Sequence, residues 1–375
     1  MSDALSMLQR LIARPSITPD DAGCQALIAE WLRPLGFCAE SLPFGDTQNT
    51  WYRRGQSAPL LVFLGHTDVV PPGPIEAWDA PPFEPTLRDG FLYGRGAADM
   101  KSGIACFIEA CHRFIADHPN HLGSLALLLT SDEEGPATHG TVKVIETLQQ
   151  RSERIDWCVV GEPSSEARTG DVLRIGRRGS LNATLTVYGR QGHVAYPERA
   201  DNPIHRFAPA LQTLVEEVWD EGDDYFPPTR LQIANLQAGL GADNVIPGQL
   251  ALTCNWRFSP ALTPAIIEQR LRALLDAHGL RYDVAWRLSG LPFLTRDGAL
   301  VAAATHAVHE VTGYAPRCDT GGGTSDGRFV APTGAEVVEL GSCNATIHQI
   351  NERIALDELK LLPEIYYRLL CRLLT

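Results

Sequence analysis

Five residues of the types that bind metal ions are spread over most of the sequence, and each follows an apolar run in a turn-rich segment. These residues are His66, Asp99, Glu134, Glu162 and His348. In an α/β protein, the carboxyl ends of the strands deliver such side chains to one crevice. One histidine and one carboxylate for each of two ions, with an aspartate shared between them, form the ligand set of a two-metal hydrolase. The sequence therefore predicts a metal-dependent enzyme.

His66 closely follows the apolar run Leu60–Leu64 and stands two positions before Asp68. A lone histidine at a strand end is more often a hydrogen-bonded loop residue than a metal ligand. Because side chains two positions apart on a strand point the same way, the Asp68 carboxylate is placed to accept the second ring N–H. Such a contact fixes the tautomer of a ligating imidazole. We therefore interpret His66 as a ligand and Asp68 as its supporting carboxylate.

The acidic candidates occupy three further turns. Asp99 lies in a glycine-rich loop before a helix, where it serves either as a helix cap or as a ligand that bridges two cations. A short acidic run such as that of Glu133 and Glu134 is usually a solvated turn, but like charges crowded at a strand end need a cation to coexist. Since adjacent side chains point to opposite sides, we assign Glu134 to a metal ion and Glu133 to the general base. Glu162 follows the apolar run Trp157–Val160 in the same way.

Alternating patterns predict the elements that would bring these residues together. The apolar runs Leu60–Leu64, Leu125–Thr130 and Trp157–Val160 are typical of buried strands. The periodicity of Ile104–Phe114 and Thr141–Leu148 is typical of helices. Strands that alternate with helices favour an α/β fold with a mixed, mainly parallel sheet.

The pattern changes after Arg178 and returns from Leu300 onward. Between these points, alternating strands and two helical segments favour a compact α+β domain. We therefore predict a discontinuous metal-binding catalytic domain, residues 1–178 and 292–375, interrupted by an inserted domain, residues 179–291.

Composition and charge exclude several classes of protein. A length of 375 residues favours two domains, and no apolar run approaches the roughly 20 residues of a membrane span. The net charge of −13 argues against a nucleic-acid partner, which would need a basic face. The first residues lack the basic and then apolar pattern of a signal peptide, and the nine cysteines include no Cys-x-x-Cys pair. We therefore expect a cytoplasmic protein with reduced cysteines.

Several segments occur in a distinctive order along the chain. They are Gly65–Pro71, Gly94–Lys101, Asp132–Gly135, Gly161–Pro163 and the late His348. In combination they resemble the co-catalytic zinc amidohydrolases, a family of aminoacylases, glutamate carboxypeptidases, acetylornithine deacetylases and succinyl-diaminopimelate desuccinylases. The segments that resemble the desuccinylase group most closely are Arg177–Leu181, Gly322–Phe329, Asn344–His348 and Asn351–Glu352.

The resemblance implies a zinc-peptidase-like catalytic domain with two Zn²⁺ ions per subunit. His66, Asp99 and Glu162 would hold one ion. Asp99, Glu134 and His348 would hold the other. Co²⁺ is a substitute that the same ligand types accept.

The resemblance also implies a homodimer formed through the inserted dimerisation (lid) domain. In the family, a histidine of this domain reaches the partner's active site, and His193 stands at the matching position within Gly192–Pro197. An imidazole donor beside the substrate carbonyl would stabilise the oxyanion. Without the resemblance, His193 would be an ordinary surface-loop residue.

For the desuccinylase group, the implied substrate is N-succinyl-LL-2,6-diaminopimelate, a small anion cleaved to succinate and LL-diaminopimelate on the way to lysine and cell-wall precursors. Guanidinium groups pair with carboxylates through two hydrogen bonds, and glycine-rich loops bind anions through backbone N–H groups. The candidate substrate contacts are Arg177, Arg178, Asn244, Arg257, Gly323, Thr324 and Asn344. Arg257 alternatively pairs with a local carboxylate, and Asp243 stands where the family has a neutral polar residue.

Two other functions stay open from the sequence. A sister enzyme, an acetylornithine deacetylase or another N-acyl-amino-acid amidohydrolase, would need no cation for a succinyl carboxylate. A non-catalytic binding protein on the same fold would be expected to lose the base or some ligands, yet Glu133 and all five ligands are present.

Overall fold

The computed structural model describes residues 3–375, which form two compact units. The first unit runs to Gly176 and resumes at Leu294–Asp319 and Ser325–Thr375. The second unit comprises Arg177–Phe293 and Thr320–Thr324. The chain therefore enters the second unit from the first and returns to the first after it.

Within these described residues, the α-helices are α1 (Ala4–Ile12), α2 (Cys24–Leu32), α3 (Lys101–Asp117), α4 (Thr141–Gln150), α5 (Pro203–Glu216), α6 (Pro264–Ala277), α7 (Ala299–Thr312), α8 (Gly327–Val330) and α9 (Glu358–Leu374). The strands of the same part of the chain are β1 (Cys38–Ser41), β2 (Asn49–Arg54), β3 (Leu60–His66), β4 (Thr86–Arg88), β5 (Phe91–Tyr93), β6 (Ser124–Thr130), β7 (Trp157–Val160), β8 (Val172–Arg174), β9 (Gly176–Arg177), β10 (Gly179–Tyr188), β11 (Gly192–His193), β12 (Arg230–Ala238), β13 (Val245–Ile246), β14 (Gln249–Phe258), β15 (Tyr282–Gly290), β16 (Phe293–Leu294), β17 (Arg317–Asp319), β18 (Glu336–Glu339) and β19 (Arg353–Ala355). No helix among residues 3–375 is long and apolar enough to cross a membrane.

The first unit is built on a mixed sheet whose described strands have the order β1-β2-β6-β3-β7-β18-β8-β17. The pairs β3–β6, β3–β7, β7–β18 and β8–β17 are parallel, and the other pairs are antiparallel. Strands β3 and β6 are buried at every position, as expected for continuous apolar runs in a sheet covered on both faces. The predicted α/β class with a mainly parallel sheet is confirmed.

Helices α1, α3, α7 and α9 pack in one hydrophobic core with this sheet. Phe63 of β3 stacks on Phe107 of α3 with ring centroids 4.3 Å apart, and Tyr366 of α9 meets both rings edge-on. The Tyr366 hydroxyl donates to the Leu340 carbonyl oxygen at 2.5 Å, so its polar group is satisfied inside the core. This packing gives the strand ends a rigid support.

The second unit is an antiparallel sheet in the order β12-β14-β10-β15, with α5 and α6 packed against it. Buried and more exposed residues alternate along β10 and β14, so one face of the sheet is apolar and the other is polar. Trp256 and Phe258 of β14, Phe207 of α5 and Leu271 of α6 belong to the core on the apolar face. The polar face carries Arg257.

The loop Thr320–Thr324 belongs to the second unit, whereas the sequence prediction places it in the catalytic domain. The Thr320 hydroxyl donates to the Tyr225 carbonyl oxygen at 2.6 Å, and the Arg177 guanidinium donates to a backbone carbonyl of the same loop. Gly322 has φ of +81°, and a Cβ there would lie 2.5 Å from Arg177 Nη1. The left-handed φ at this position favours glycine, which lets the loop approach the arginine without a Cβ between them.

Candidate active site

Three neighbouring strands deliver four of the predicted residues to one edge of the sheet. Strands β6, β3 and β7 are adjacent and parallel, so their carboxyl ends meet. His66 is the last residue of β3, Glu133 and Glu134 follow the end of β6, and Glu162 follows the end of β7. The sheet thus gathers side chains that are far apart in the sequence.

Two loops of the first unit complete the site. Asp99 lies between β5 and α3, and His348 lies between β18 and β19. The φ of His348 is +59°, a left-handed conformation that is uncommon outside glycine. Strained backbone of this kind concentrates at functional sites, where the surrounding structure holds it in place.

Asp99 lies between the two histidines. Its Oδ1 is 3.2 Å from His66 Nε2, and its Oδ2 is 3.3 Å from His348 Nε2. Glu162 Oε1 is 3.5 Å from His66 Nε2, and Glu134 Oε1 is 3.0 Å from His348 Nε2. All five predicted ligands therefore come together, with Asp99 shared between a His66 group and a His348 group.

These separations match the distances between two ligand atoms that are bound to the same metal ion. Two ligand atoms at about 2.0–2.1 Å from a tetrahedral zinc ion lie roughly 3.3–3.4 Å apart, and the four measured separations are 3.0–3.5 Å. Imidazole and carboxylate ligands without a thiolate suit zinc, cobalt and manganese. Glu133 also comes within 4.8 Å of His66 and Glu162, so its carboxylate faces the same space.

Asp68 acts differently from the prediction. His66 Nδ1 is 2.8 Å from the backbone carbonyl oxygen of Asp68 and 3.6 Å from its carboxylate. The carboxylate instead accepts the backbone N–H of Glu134 at 3.1 Å and that of Glu133 at 3.4 Å. The carbonyl therefore fixes the imidazole tautomer, because the carboxylate is engaged in holding the acidic turn.

Close contact between acids and imidazoles sets the pKa values of the site. Burial lowers the pKa of His66, but hydrogen bonds to Asp99 and Glu162 outweigh burial and raise this pKa well above its usual value. Hydrogen bonds to Asp99 and Glu134 raise the pKa of His348 to about 10. Burial raises the pKa of Asp99, but its hydrogen bonds to the two histidines outweigh burial and hold this pKa well below its usual value. A cation bound here would replace these protons and release them.

Glu133 lies among buried acidic groups, with the His66 imidazole and the Arg328 guanidinium as positive neighbours. Burial raises its pKa well above the usual value, and the negative charges of Glu162 and Asp326 add to this shift. Arg328 Nη1 is 4.0 Å from Glu133 Oε1, and Arg328 Nη2 is 3.4 Å from Asp326 Oδ1. The Arg328 guanidinium thus lies between two buried carboxylates. Asp326 and Arg328 belong to the segment Gly322–Phe329, but their sequence context predicts no individual role for them.

The predicted anion-binding arginines form a cluster in the second unit. Arg257 of β14 lies opposite Ser180 of β10 and Arg230 of β12. Burial, and then the neighbouring guanidinium groups, lower the pKa of Arg178 and of Arg257. Within residues 3–375, Arg257 Nη1 and Arg178 Nε are buried and make no hydrogen bond. Crowded cations with unused N–H groups are suited to bind an anion. Arg230 adds a further positive charge beside Arg178, and one exposed arginine at a strand start gives no signal of this in the sequence.

The other predicted contacts fall in three places. His193 ends β11, which pairs with β13, and Asn244 immediately precedes β13, so these two residues lie side by side in the second unit. Gly323 and Thr324 lie in the loop that Arg177 binds, also in the second unit. Asn344 lies in the first unit, four positions before His348, and its backbone N–H donates to the Ser165 carbonyl oxygen at 2.9 Å.

A cluster of two histidines and three carboxylates at the carboxyl edge of a mixed sheet defines a class of metal-dependent amidohydrolases. The chain belongs to the peptidase family M20/M25/M40, whose model matches residues 62–372. The chain is 61% identical to the succinyl-diaminopimelate desuccinylase of Methylococcus capsulatus, over 100% of this chain and 99% of that protein. It is 59% identical to the succinyl-diaminopimelate desuccinylase of Thioalkalivibrio sulfidiphilus, over 100% of both chains. The predicted family is confirmed.

Solved structures of low sequence identity share this fold. The M20 family metallo-carboxypeptidase of Sulfolobus solfataricus superposes with a TM-score of 0.82 at 18% identity, covering 99% of each chain. A dinuclear metal binding peptidase of the M20 family from Bacillus subtilis superposes with a TM-score of 0.74 at 15% identity, covering 98% of this chain and 96% of that one. At these identities, the likeness concerns the fold alone.

Proposed function

We propose that this protein hydrolyses the amide bond of N-succinyl-LL-2,6-diaminopimelate and releases succinate and LL-diaminopimelate. The observation that carries the proposal is the position of Asp99 between two histidine–carboxylate groups, with Glu133 beside them. The identity of 61% to a desuccinylase over the whole chain favours this substrate. The arginine cluster favours it too, because an acetyl group would offer these cations no carboxylate.

Two Zn²⁺ ions per subunit are part of the proposal, with Co²⁺ as a substitute. His66, Asp99 and Glu162 would hold one ion, and Asp99, Glu134 and His348 would hold the other. The two oxygens of Asp99, one facing each histidine, support two positions. When bound, such ions polarise the scissile carbonyl and lower the pKa of the attacking water.

Glu133 would carry the proton between the two halves of the reaction. It removes a proton from the attacking water, whose oxygen adds to the succinyl amide carbon. When the carbon–nitrogen bond breaks, Glu133 returns this proton to the leaving amine of diaminopimelate. The backbone N–H of Glu133 is held by the Asp68 carboxylate, which keeps the base at a fixed position.

The substrate carboxylates would bind to the second unit. Arg177, Arg178 and Arg257 supply guanidinium groups, and the loop with Gly323 and Thr324 supplies backbone N–H and hydroxyl groups. Asn244 is a further candidate contact of the second unit, and Asn344 is a candidate contact of the first unit. Three carboxylates on a small substrate need several cations, and this requirement matches the crowding of the arginines.

A homodimer formed through the second unit, acting as a dimerisation (lid) domain, is also part of the proposal. Ile204 and Val215 on α5 are 43% and 61% exposed, and Leu236 on β12 is 47% exposed. Strand β12 is an edge strand, whose unpaired backbone groups are suited to pairing with a second copy. In such a dimer, His193 of one copy would donate to the oxyanion in the other copy's site.

The cytoplasm is the proposed location. All nine cysteines are free in the structure, and several are buried in the core. A reducing compartment keeps thiols in this state.

The test is hydrolysis of N-succinyl-LL-2,6-diaminopimelate by the purified, zinc-loaded protein, measured beside N-acetylornithine. We expect turnover of the succinyl substrate alone, with kcat lowered roughly 10²- to 10⁴-fold in Glu133→Ala. The variant should still bind zinc, since Glu133 is assigned no ligand role. A preference for N-acetylornithine would contradict the substrate and keep the enzyme class. Wild-type kcat in Glu133→Ala would contradict the assigned base.

A further inference from the structure

One carboxylate outside the metal cluster holds the loop that carries Asp99. Glu352 is 1% exposed. Its Oε1 accepts the backbone N–H of Ala98 at 2.9 Å and that of Asp99 at 3.0 Å. Its Oε2 accepts the backbone N–H of Gly96 at 3.0 Å and Nη1 of Arg95 at 2.8 Å. One side chain thus receives four hydrogen bonds from the segment 95–99.

The segment around Glu352 also carries His348. Its backbone makes further hydrogen bonds to residues that directly precede the loop of Asp99. The N–H of Gly94 donates to the Glu352 carbonyl oxygen at 3.0 Å, and β19 pairs with β5 directly before the loop. The Asn351 Oδ1 accepts the N–H of Asp79 at 2.9 Å. The two segments that supply Asp99 and His348 are therefore joined through Glu352 and its neighbours.

We propose that Glu352 is a positioning residue that fixes the shared aspartate, so that the two metal positions form together. The inference rests on the proposed two-metal centre. The N–H of Asp99 itself is bound by Glu352, and each carboxylate oxygen of Asp99 faces one histidine. A rotation of this peptide would therefore change the geometry of both positions at once.

The arrangement specifically requires a carboxylate. Four N–H donors converge on the two oxygens of Glu352, and a carboxylate is a pure acceptor with room for all of them. A glutamine side chain has only one oxygen, and its NH₂ group would face two of the donors. Arg95, which is 2% exposed and stacks on Trp78, supplies the counter-charge, so the negative charge of Glu352 is neutralised beside Asp99.

Glu358 provides a matched control in the same part of the chain. It is 7% exposed, and its carboxylate accepts the backbone N–H of Cys343 at 2.7 Å and that of Ala355 at 3.3 Å. It therefore resembles Glu352 in burial and in holding backbone groups. Neither of these two hydrogen bonds goes to the loop of Asp99.

The experiment is calorimetric zinc binding to chelator-treated wild type, Glu352→Gln and Glu358→Gln, with the melting temperature and kcat at saturating zinc measured in parallel. We expect Glu352→Gln to weaken binding of both ions by about 10- to 100-fold, the range for residues that orient metal ligands, and to lower kcat more than KM. Glu358→Gln should lower only the melting temperature. Glu352→Asp, which retains the charge at a shorter reach, gives the same comparison if Glu352→Gln does not fold.

Wild-type zinc affinity in Glu352→Gln would overturn the inference. Equal losses of affinity in the Glu352 and Glu358 variants would also overturn it, because they would indicate a general loss of stability. A wild-type protein that binds no zinc would instead contradict the proposed metal centre. The two failures are therefore distinguishable.

Discussion

Replacing Arg257 with methionine should separate substrate binding from stability. Methionine retains most of the length of the side chain but removes the charge. A hydrogen-bonded contact to a charged group contributes about 1.5–3 kcal/mol. For the half-buried Arg257 we take about 2 kcal/mol, which corresponds to a roughly 30-fold loss of kcat/KM on N-succinyl-LL-2,6-diaminopimelate.

The melting temperature of Arg257→Met should be unchanged or higher than that of wild type. Arg257 Nη1 is buried without a hydrogen bond in the described residues, and its guanidinium lies near other arginines. Removing a buried, unpaired donor among like charges relieves an unfavourable interaction. Functional sites commonly hold residues that lower stability in this way.

Steady-state kinetics and thermal unfolding of the same preparations test this reasoning. Arg272→Met serves as the control, because Arg272 is an exposed arginine on α6 of the same unit. We expect wild-type kcat/KM in the control. A large fall in the melting temperature of Arg257→Met, or unchanged kcat/KM on the succinyl substrate, would refute a role for Arg257 in binding the anion.

Two further predictions concern protons and the dimer. Because hydrogen bonds raise the pKa of His348 from 6.5 to about 10, its proton stabilises the metal-free fold fully below pH 6.5, and this stabilisation is lost as pH rises through 10. The melting temperature of chelator-treated protein should fall between pH 6.5 and pH 10. A melting temperature that does not change over this range would contradict the raised pKa of His348. Mixing His193→Ala with Glu133→Ala should restore about one quarter of wild-type activity, since half of the dimers are mixed and each has one complete site. If mass spectrometry shows that mixed dimers have formed but they are inactive, His193 does not act in the active site of the other copy.

That the five candidate ligands come together could be predicted from sequence, partly because some of them carry a local signal. His66 and Glu162 follow apolar strands directly, and the sheet order then brings their carboxyl ends together. Asp99 and His348 lie in loops, so they depended more on the pattern of the whole chain. The sequence therefore predicted which side chains meet, and the structure added how they are oriented.

The supporting contacts could not be predicted, since they depend on distances between remote segments. The Asp68 carbonyl replaced its carboxylate as the partner of His66, because the carboxylate binds two N–H groups of another turn. Glu352 and Arg328 carried no local signal beyond their membership of a motif. The loop Thr320–Thr324 joined the second unit through contacts that only the folded chain reveals.

The place of β18 in the sheet has a consequence for how the protein is made. This strand pairs with β7 along one side and with β8 at one end, although the whole of Arg177–Phe293 is synthesised between them. Until Glu339 has left the ribosome, the edge of β7 that later pairs with β18 has no partner strand. The free backbone groups of such an edge can pair with other chains. Contacts this distant in sequence also slow folding. A chain in which a second unit separates two neighbouring strands of one sheet therefore needs this edge to be protected during synthesis.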